Sequence, residues 1–389
     1  MKKLFCIFMS TIIIFSATSC KGVKQEVEKL AVVLAIGFDL TPENKYLVTV
    51  QILNPQENSS QSTSSKKGGG QDPSSEVLIF SSEGDTPLDA INRLSIDYGR
   101  NLYFGHSDYL VIGKNLAESG LSLLVDAILR GYETRPDNTL LLAKDKASKI
   151  LAFKPIDEPI PSNSVKKLIT LQSIRGFSPV VTRLDFASTL SSKTTAPIMG
   201  IIDISKDNNI GNTFKLAGTG VFEKDKLIGY LDINETRGMQ WIRGKVKNGN
   251  ITVTTPDNSK VTFSIINGSS KIKSSIENDS VTIEITIKSQ SNILEMPGKL
   301  DPMKDPKIMD DLAKLQSEAI ENEVKLALNA AQKKLNADIF DFGGLIHREH
   351  PAYWKKTEDN WNHIFPNIKV NVNVDSSLKG PGVISKPIK

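Results

Sequence analysis

The nine residues LAVVLAIGF, from Leu30 to Phe38, decide the fold of this chain. They form an unbroken apolar run, which is typical of a strand that lies inside a sheet and is covered on both faces. The run is too short to cross a bilayer as a helix, which takes about 20 residues. We therefore predict a buried strand at this position.

Strand and helix patterns alternate on the carboxyl side of this run. Every second residue from Tyr46 to Ile52 is apolar, as on one covered face of a strand. Thr86 and Pro87 are residues that begin a helix, since Thr can cap the first turn and Pro fits the first helical position. Strands that alternate with helices predict a mixed α/β N-terminal domain over residues 30–196.

The pattern changes to hairpins from Phe214, with turns made by Asn, Gly, Asp and Ser. A long amphipathic helix is predicted over residues 305–335, and an alternating strand over residues 368–374. We place a middle α+β domain at residues 197–256 and a C-terminal α+β domain at residues 257–389.

The amino terminus has the pattern of an export signal. Two lysines, Lys2 and Lys3, precede a short apolar run from Leu4 to Phe15, and small residues follow. We predict that residues 1–19 are a signal peptide.

Cys20 directly follows those small residues, as in a lipoprotein signal. A cysteine thiolate is a good nucleophile toward a lipid donor, so we predict lipid on Cys20 and a lipidated tether over residues 20–29. The usual lipobox has Leu three residues before the cysteine, where this chain has Ala17. The alternative is an ordinary secretory signal in which Cys20 has no role.

Composition excludes several classes of protein. The chain has 48 Lys and Arg against 44 Asp and Glu, without a basic block, so we expect no nucleic-acid partner. Its two cysteines are Cys6, in the signal, and Cys20. Disulfides and thiolate metal sites are therefore not expected in the mature protein.

Few residues suggest chemistry. His347 and His350 are three apart, a conceivable metal pair, but no HExxH motif is present. His106, Ser107 and Asp108 are the residue types of a catalytic triad, but triads are built from distant segments. We predict structural roles for both groups, and no catalytic, cofactor-binding or metal-binding residues.

Two aromatic groups could form contact sites. Trp354 and Trp361 are seven apart on a predicted helix, and such a pair is more often core than ligand pocket. Glu235, Arg237 and Trp241 follow a predicted hairpin and form a candidate partner contact, because Arg and Trp are over-represented in interface hot spots. The alternative for this group is a helix cap with a packed indole.

Four segments carry a resemblance to a known family. They are VEKLAVVLAIGFDL (Val27–Leu40), GRNLYFGHSDYLVIGKNLAESGL (Gly99–Leu121), LAGTGVFEKDKLIGYLDINETRGMQWIRGK (Leu216–Lys245) and DIFDFGGLIHREHPAYWKKTEDNWNHIFPNIKVNVNV (Asp338–Val374). In this order and spacing they resemble the C subunits of spore germinant receptors, the GerAC-like lipoproteins of endospore-forming bacteria.

The resemblance implies an α+β fold of three mixed α/β domains, each a sheet packed by helices, tethered by an N-terminal lipid anchor. It implies a non-enzymatic receptor subunit on the outer face of the spore inner membrane. The partners would be an integral-membrane A subunit and a transporter-like B subunit, which together respond to nutrients. The alternative is a solute-binding or enzymatic lipoprotein of the envelope.

A disordered loop is predicted at residues 58–75, which are nearly all Ser, Gln, Lys, Gly and Asp and so have almost no apolar surface to offset the entropy of ordering. We expect replacement of this segment by a short Gly-Ser link to change the free energy of unfolding little, since loop closure costs only about 0.6 kcal/mol per doubling of length. Chemical denaturation of both proteins measures the difference. A loss above about 2 kcal/mol would show that the segment packs against the fold.

Overall fold

The structure is a computed structural model that describes residues 30–54, 75–131, 135, 137–205, 211–296 and 307–380. The predicted signal peptide, Cys20 and the tether lie outside these residues. So do residues 58–74 of the predicted loop and residues 305–306 at the predicted start of the long helix.

Strands and helices alternate through the first half of the chain, as predicted. The strands are β1 Leu30–Leu40, β2 Tyr46–Leu53, β3 Val77–Gly84, β4 Asn101–Tyr103, β5 Tyr109–Ile112, β6 Thr139–Ala143, β7 Ile198–Ile204, β8 Phe214–Glu223, β9 Lys226–Leu231, β10 Gly249–Thr254, β11 Lys260–Glu277, β12 Ser280–Glu295 and β13 Lys369–Leu378. The α-helices are α1 Pro87–Tyr98, α2 Lys114–Ser119, α3 Ser122–Arg130, α4 Ala147–Ala152, α5 Pro161–Arg175, α6 Arg183–Leu190, α7 Ile233–Ile242, α8 Lys307–Asn329, α9 Phe342–Glu349, α10 Pro351–Thr357 and α11 Trp361–Ile364. A π-helical turn, Ala330–Leu335, continues α8.

The larger sheet has the strand order β3-β2-β1-β5-β6-β7-β8-β9, with β4 beside β1. Its centre is parallel, because β1, β5, β6 and β7 pair in the same direction. Both flanks are antiparallel: β2 and β3 on one side, β8 and β9 on the other. The apolar run at Leu30–Phe38 therefore forms a central strand of this sheet, β1.

Strand β1 supplies side chains to a core on each face of this sheet. Val33 and Ile36 belong to a cluster that includes residues of α1, α2 and α3, whereas Ala35 belongs to a second cluster with residues of α4 and α5. Val33 and Ala35 have no exposed surface. Burial on both faces explains why the run contains no polar residue.

A buried carboxylate fixes the end of β1 to the next layer. Asp39 accepts hydrogen bonds from the backbone N–H of Ala147 (2.7 Å) and of Ser148 (2.9 Å), at the start of α4. Gly113 packs against the same carboxylate so closely that a Cβ at this position would overlap it. The pair of hydrogen bonds neutralises the cost of burying a charged group and sets the position of α4.

The second sheet is formed by the four strands β10-β11-β12-β13. The first three are antiparallel neighbours, and β13 runs parallel to β12. The long helix α8 buries Leu312, Ile320, Val324 and Leu328 on one side, in the same core as the inward residues of β12.

The mixed α/β class, with sheets packed by helices, is confirmed. Three domains with one sheet each were expected, whereas the described residues form two sheets, because β7 of the predicted middle domain pairs with β6 of the first. None of the helices in the described ranges is long and apolar enough to span a bilayer.

Helices α7 and α8 cross closely at Gly238. A Cβ on this residue would overlap the backbone carbonyl oxygen of Glu323 and would come within 2.9 Å of the Ala327 side chain. Glycine is therefore required here by the approach of a neighbouring backbone and not by a turn.

Gly238→Ala is expected to lower the free energy of unfolding by roughly 2 kcal/mol, because the added methyl group pushes α7 away from α8. The control is Gly380→Ala, since a Cβ at Gly380 meets no atom within 4 Å. Equal stability of the two variants in chemical denaturation would contradict this packing.

Candidate functional site

The predicted partner contact lies on α7, which begins with a complete capping box. The Asp232 carboxylate accepts from the backbone N–H groups of Asn234 and Glu235, both at 2.8 Å, and the Glu235 carboxylate accepts from the N–H of Asp232 at 2.8 Å. These bonds satisfy N–H groups that the first turn of a helix leaves free. Glu235 also faces Lys334 of the π-helical turn, at 3.6 Å.

Arg237 points into the protein. Its side chain is buried, with an Nη1 atom 3.5 Å from the Glu323 carboxylate and an Nη2 atom that donates to the carbonyl oxygen of Asn250 at 3.0 Å. The guanidinium also lies over the ring of Phe177, 5.0 Å from its centroid. One arginine thus contacts α8, β10 and the segment after α5.

Trp241, one turn further along α7, is fully buried. Its indole Nε1 donates to the other carboxylate oxygen of Glu323 at 2.9 Å. The ring also packs against Gly268 of β11, where a Cβ would overlap it. The indole therefore contacts both the long helix and the second sheet.

The expectation of an exposed partner contact at Glu235, Arg237 and Trp241 has to be corrected. The alternative of a helix cap with a packed indole describes the structure, because Glu235 caps α7 while Arg237 and Trp241 are buried. We call the group Arg237, Trp241 and Glu323 the junction. It joins α7, which follows the larger sheet, to α8 and the second sheet.

Sequence analysis missed Glu323, the acidic member of the junction. Burial raises the pKa of its carboxyl, while the charge of Arg237 and the Trp241 hydrogen bond oppose that rise. Burial likewise lowers the pKa of Arg237, against the charge of Glu323. The sequence contains a signal for this residue, since Glu323 is an acidic residue between the buried positions Ile320 and Val324 of the apolar stripe of α8.

The histidines do not converge on a site. His347 stacks on Trp354, with ring centroids 5.7 Å apart, and His350 caps the end of α9. No group of three or more His, Cys, Asp or Glu side chains suited to a metal ion occurs in the part of the chain that the structure describes. The absence of a metal from the protein stays a prediction.

The trio of His106, Ser107 and Asp108 does not form a triad. His106 contacts the ring of Tyr103, Ser107 donates weakly to the carbonyl oxygen of Tyr109 at 3.4 Å, and Asp108 pairs with Lys166 at 2.9 Å. The three side chains therefore have separate partners, which supports the structural interpretation.

Trp354 and Trp361 are core residues, as predicted. Both are buried, and their rings meet edge to face with centroids 5.3 Å apart. The buried carboxylate of Asp338 accepts hydrogen bonds from the Trp361 indole Nε1 at 3.2 Å and from the backbone N–H of Gly343 at 2.7 Å. Burial raises the pKa of Asp338 to about 6, and the hydrogen bonds oppose that rise.

Arg237→Met is expected to lower the free energy of unfolding by about 3 kcal/mol at about pH 8, because it leaves the largely buried Glu323 carboxylate without its cation. The loss should be smaller at about pH 5. The pKa of the Glu323 carboxyl is raised in the folded protein, and loss of the Arg237 charge raises it further. The folded state of the variant therefore binds a proton more readily than the unfolded state, and its stability falls as the pH rises.

The matched control is Arg348→Met, which breaks an exposed ion pair with Asp341 and should cost less than about 1 kcal/mol. Denaturant titrations at both pH values measure the two variants. A loss for Arg237→Met that is small, or equal at both pH values, would contradict the junction as a coupled pair.

Comparison with known proteins matches the chain in two consecutive segments. Residues 23–204 match the model of the spore germination protein N-terminal domain, and residues 217–382 match the model described as spore germination B3/GerAC like, C-terminal. The two segments together cover most of the sequence.

Relatives match over nearly their whole length. Spore germination protein KC of Bacillus subtilis (strain 168) is 28% identical over 384 residues, which cover 94% of this chain and 93% of that protein. Spore germination protein B3 of the same organism is 23% identical over 372 residues, 94% of this chain and 95% of that protein.

A solved structure has the same fold. The crystal structure of the GerBC protein matches 89% of this chain and 97% of its own with a TM-score of 0.55 and 20% identity. The family models, the full-length relatives and the shared fold confirm the resemblance noted in the sequence, and the chain belongs to the GerAC-like family of spore germination proteins.

Proposed function

We propose that the chain is a lipid-anchored, non-enzymatic subunit of a nutrient germinant receptor in bacterial spores. The observation that carries the proposal is the ordered match of both family segments, residues 23–204 and 217–382, with relatives named as spore germination proteins that align over more than nine tenths of their length. A match of this extent covers the whole architecture rather than one shared domain.

The sequence signal at Cys20 supports attachment to a membrane. A thiolate that follows an export signal is the acceptor for a lipid donor, and a second acyl chain makes such an anchor lasting. The anchor would hold the folded part at the bilayer surface, on the outer face of the spore inner membrane.

The partners would be integral-membrane A and B subunits of the receptor. Confinement by a lipid anchor raises the effective concentration of the folded part near membrane partners, so a modest interface suffices for assembly. Since the junction is buried, the contact with these partners would use other surfaces of the chain.

The arrangement of side chains supports a non-enzymatic role over the alternatives. The acidic and basic side chains near the histidines have separate structural partners, whereas an enzyme needs acids, bases or ligands that converge. This statement holds for the described residues. A solute-binding protein of two similar lobes is disfavoured because the two sheets differ in size and topology.

Spores that lack this chain are expected to lose most of their response to the nutrient that triggers the parent strain. A wild-type copy should restore the response, and a Cys20→Ala copy should restore much less, because the protein would no longer be held at the membrane. The measurement is the rate at which spores lose refractility after nutrient is added.

The control is the deletion strain that carries the wild-type copy. The wild-type protein and the Cys20→Ala protein are both labelled with a fatty acid, to test whether each carries lipid. Undiminished germination of the deletion strain, with no second C-type subunit present, would refute the receptor role. Labelling that persists in Cys20→Ala would refute the anchor and leave the receptor role standing.

A further inference from the structure

A cavity of about 570 Å³ opens where the parallel strands of the larger sheet end. Lys114 follows β5, Lys144 directly follows β6, and Asp203 lies near the end of β7. In open α/β sheets the carboxyl ends of the strands form the crevice in which ligands bind. The volume is in the range of small-molecule sites.

Four lysines line the cavity: Lys114, Lys144, Lys215 and Lys334. Lys144 and Lys215 form no ion pair with any described residue. Lys114 and Lys334 each face a glutamate at 3.6 Å. The pair of Lys114 with Glu118 is exposed and therefore weak, whereas Glu235, the partner of Lys334, is largely buried. The ammonium groups of Lys144 and Lys215 are thus the two in the lining that remain available to a ligand.

The acidic residues of the lining are placed to accept hydrogen bonds. Asp203 and Asp232 each use one carboxylate oxygen for backbone N–H groups, Asp203 for Ile204 and Asp232 for the start of α7. Their second oxygens have no hydrogen-bond donor among the described residues. The cavity therefore presents lysine ammonium groups that donate to a phosphate, and aspartate oxygens that accept from hydroxyl groups.

Lys334 reaches this cavity from a different part of the fold. It lies on the π-helical turn that continues α8, and π-helical turns are frequent at functional sites. Tyr230 of β9 also lines the cavity, on the larger sheet. A bound ligand would therefore contact both the sheet and the turn that follows the long helix.

We propose that this cavity binds a phosphate ester that carries hydroxyl groups. The lysines bind the phosphate as point charges, and Asp203 and Asp232 accept from the hydroxyls. Two sources have this chemistry: the headgroup of a phospholipid such as phosphatidylglycerol, and a free phosphate ester such as glycerol 1-phosphate. The inference concerns this cavity alone and does not rest on the receptor role.

The test uses the full-length chain in detergent micelles. One arm titrates glycerol 1-phosphate by calorimetry, and the other adds phosphatidylglycerol to the micelles, with phosphatidylcholine as the zwitterionic control. We expect saturable binding in at least one arm, weakened about tenfold or more in the double variant Lys144→Gln/Lys215→Gln and weakened by added salt.

The matched control is the double variant Lys355→Gln/Lys369→Gln, which removes the same charge from exposed lysines outside the cavity. It should bind like the wild type, and both variants should keep the wild-type melting temperature. Binding in the first arm alone identifies a free ester, and binding in the second arm alone identifies a lipid headgroup. Absence of binding in both arms, or equal losses in the two variants, would overturn the proposal.

Discussion

The ion pair and hydrogen bond that the largely buried Glu323 carboxylate forms with Arg237 and Trp241 are the interactions on which the arrangement of the two sheets depends. A carboxylate in the interior is costly unless it is paired and hydrogen-bonded, and Glu323 obtains both from α7, through Arg237 and Trp241. The same arginine reaches β10, and the same indole packs on β11. These contacts all need the same placement of α7 against α8, and Gly238 permits it by letting the two helices touch. Apolar residues alone would hold these elements together with less definition of their relative position.

Much of the larger sheet could be predicted from local sequence. The run at Leu30–Phe38 is buried on both faces because it is central, and Thr86 caps α1 with its hydroxyl at 3.1 Å from the N–H of Asp89. The pairing of β7 with β6 could not be predicted, because three helices separate these strands and no local pattern encodes their partner. That pairing is the reason for two sheets where three were expected.

The candidate site shows the same division between local and distant information. The capping box at Asp232 and Glu235 is a local signal, and the sequence contained it as an alternative. Whether Arg237 and Trp241 face water or the interior depends on α8, which is far away in sequence, and the hot-spot frequencies of these residue types gave the wrong answer. The lysines of the cavity come from four separate segments, so only the folded chain brings them together.

The parallel pairing of β12 with β13 has a consequence for how the second sheet forms. A hairpin can close as soon as its two strands exist, as β11 and β12 can, but β13 joins only after α8 and the helices from α9 to α11 have been made. Until then one edge of β12 has unpaired backbone groups, the kind of edge that recruits strands from other chains. The order of synthesis thus creates an interval in which the nascent chain is exposed to self-association.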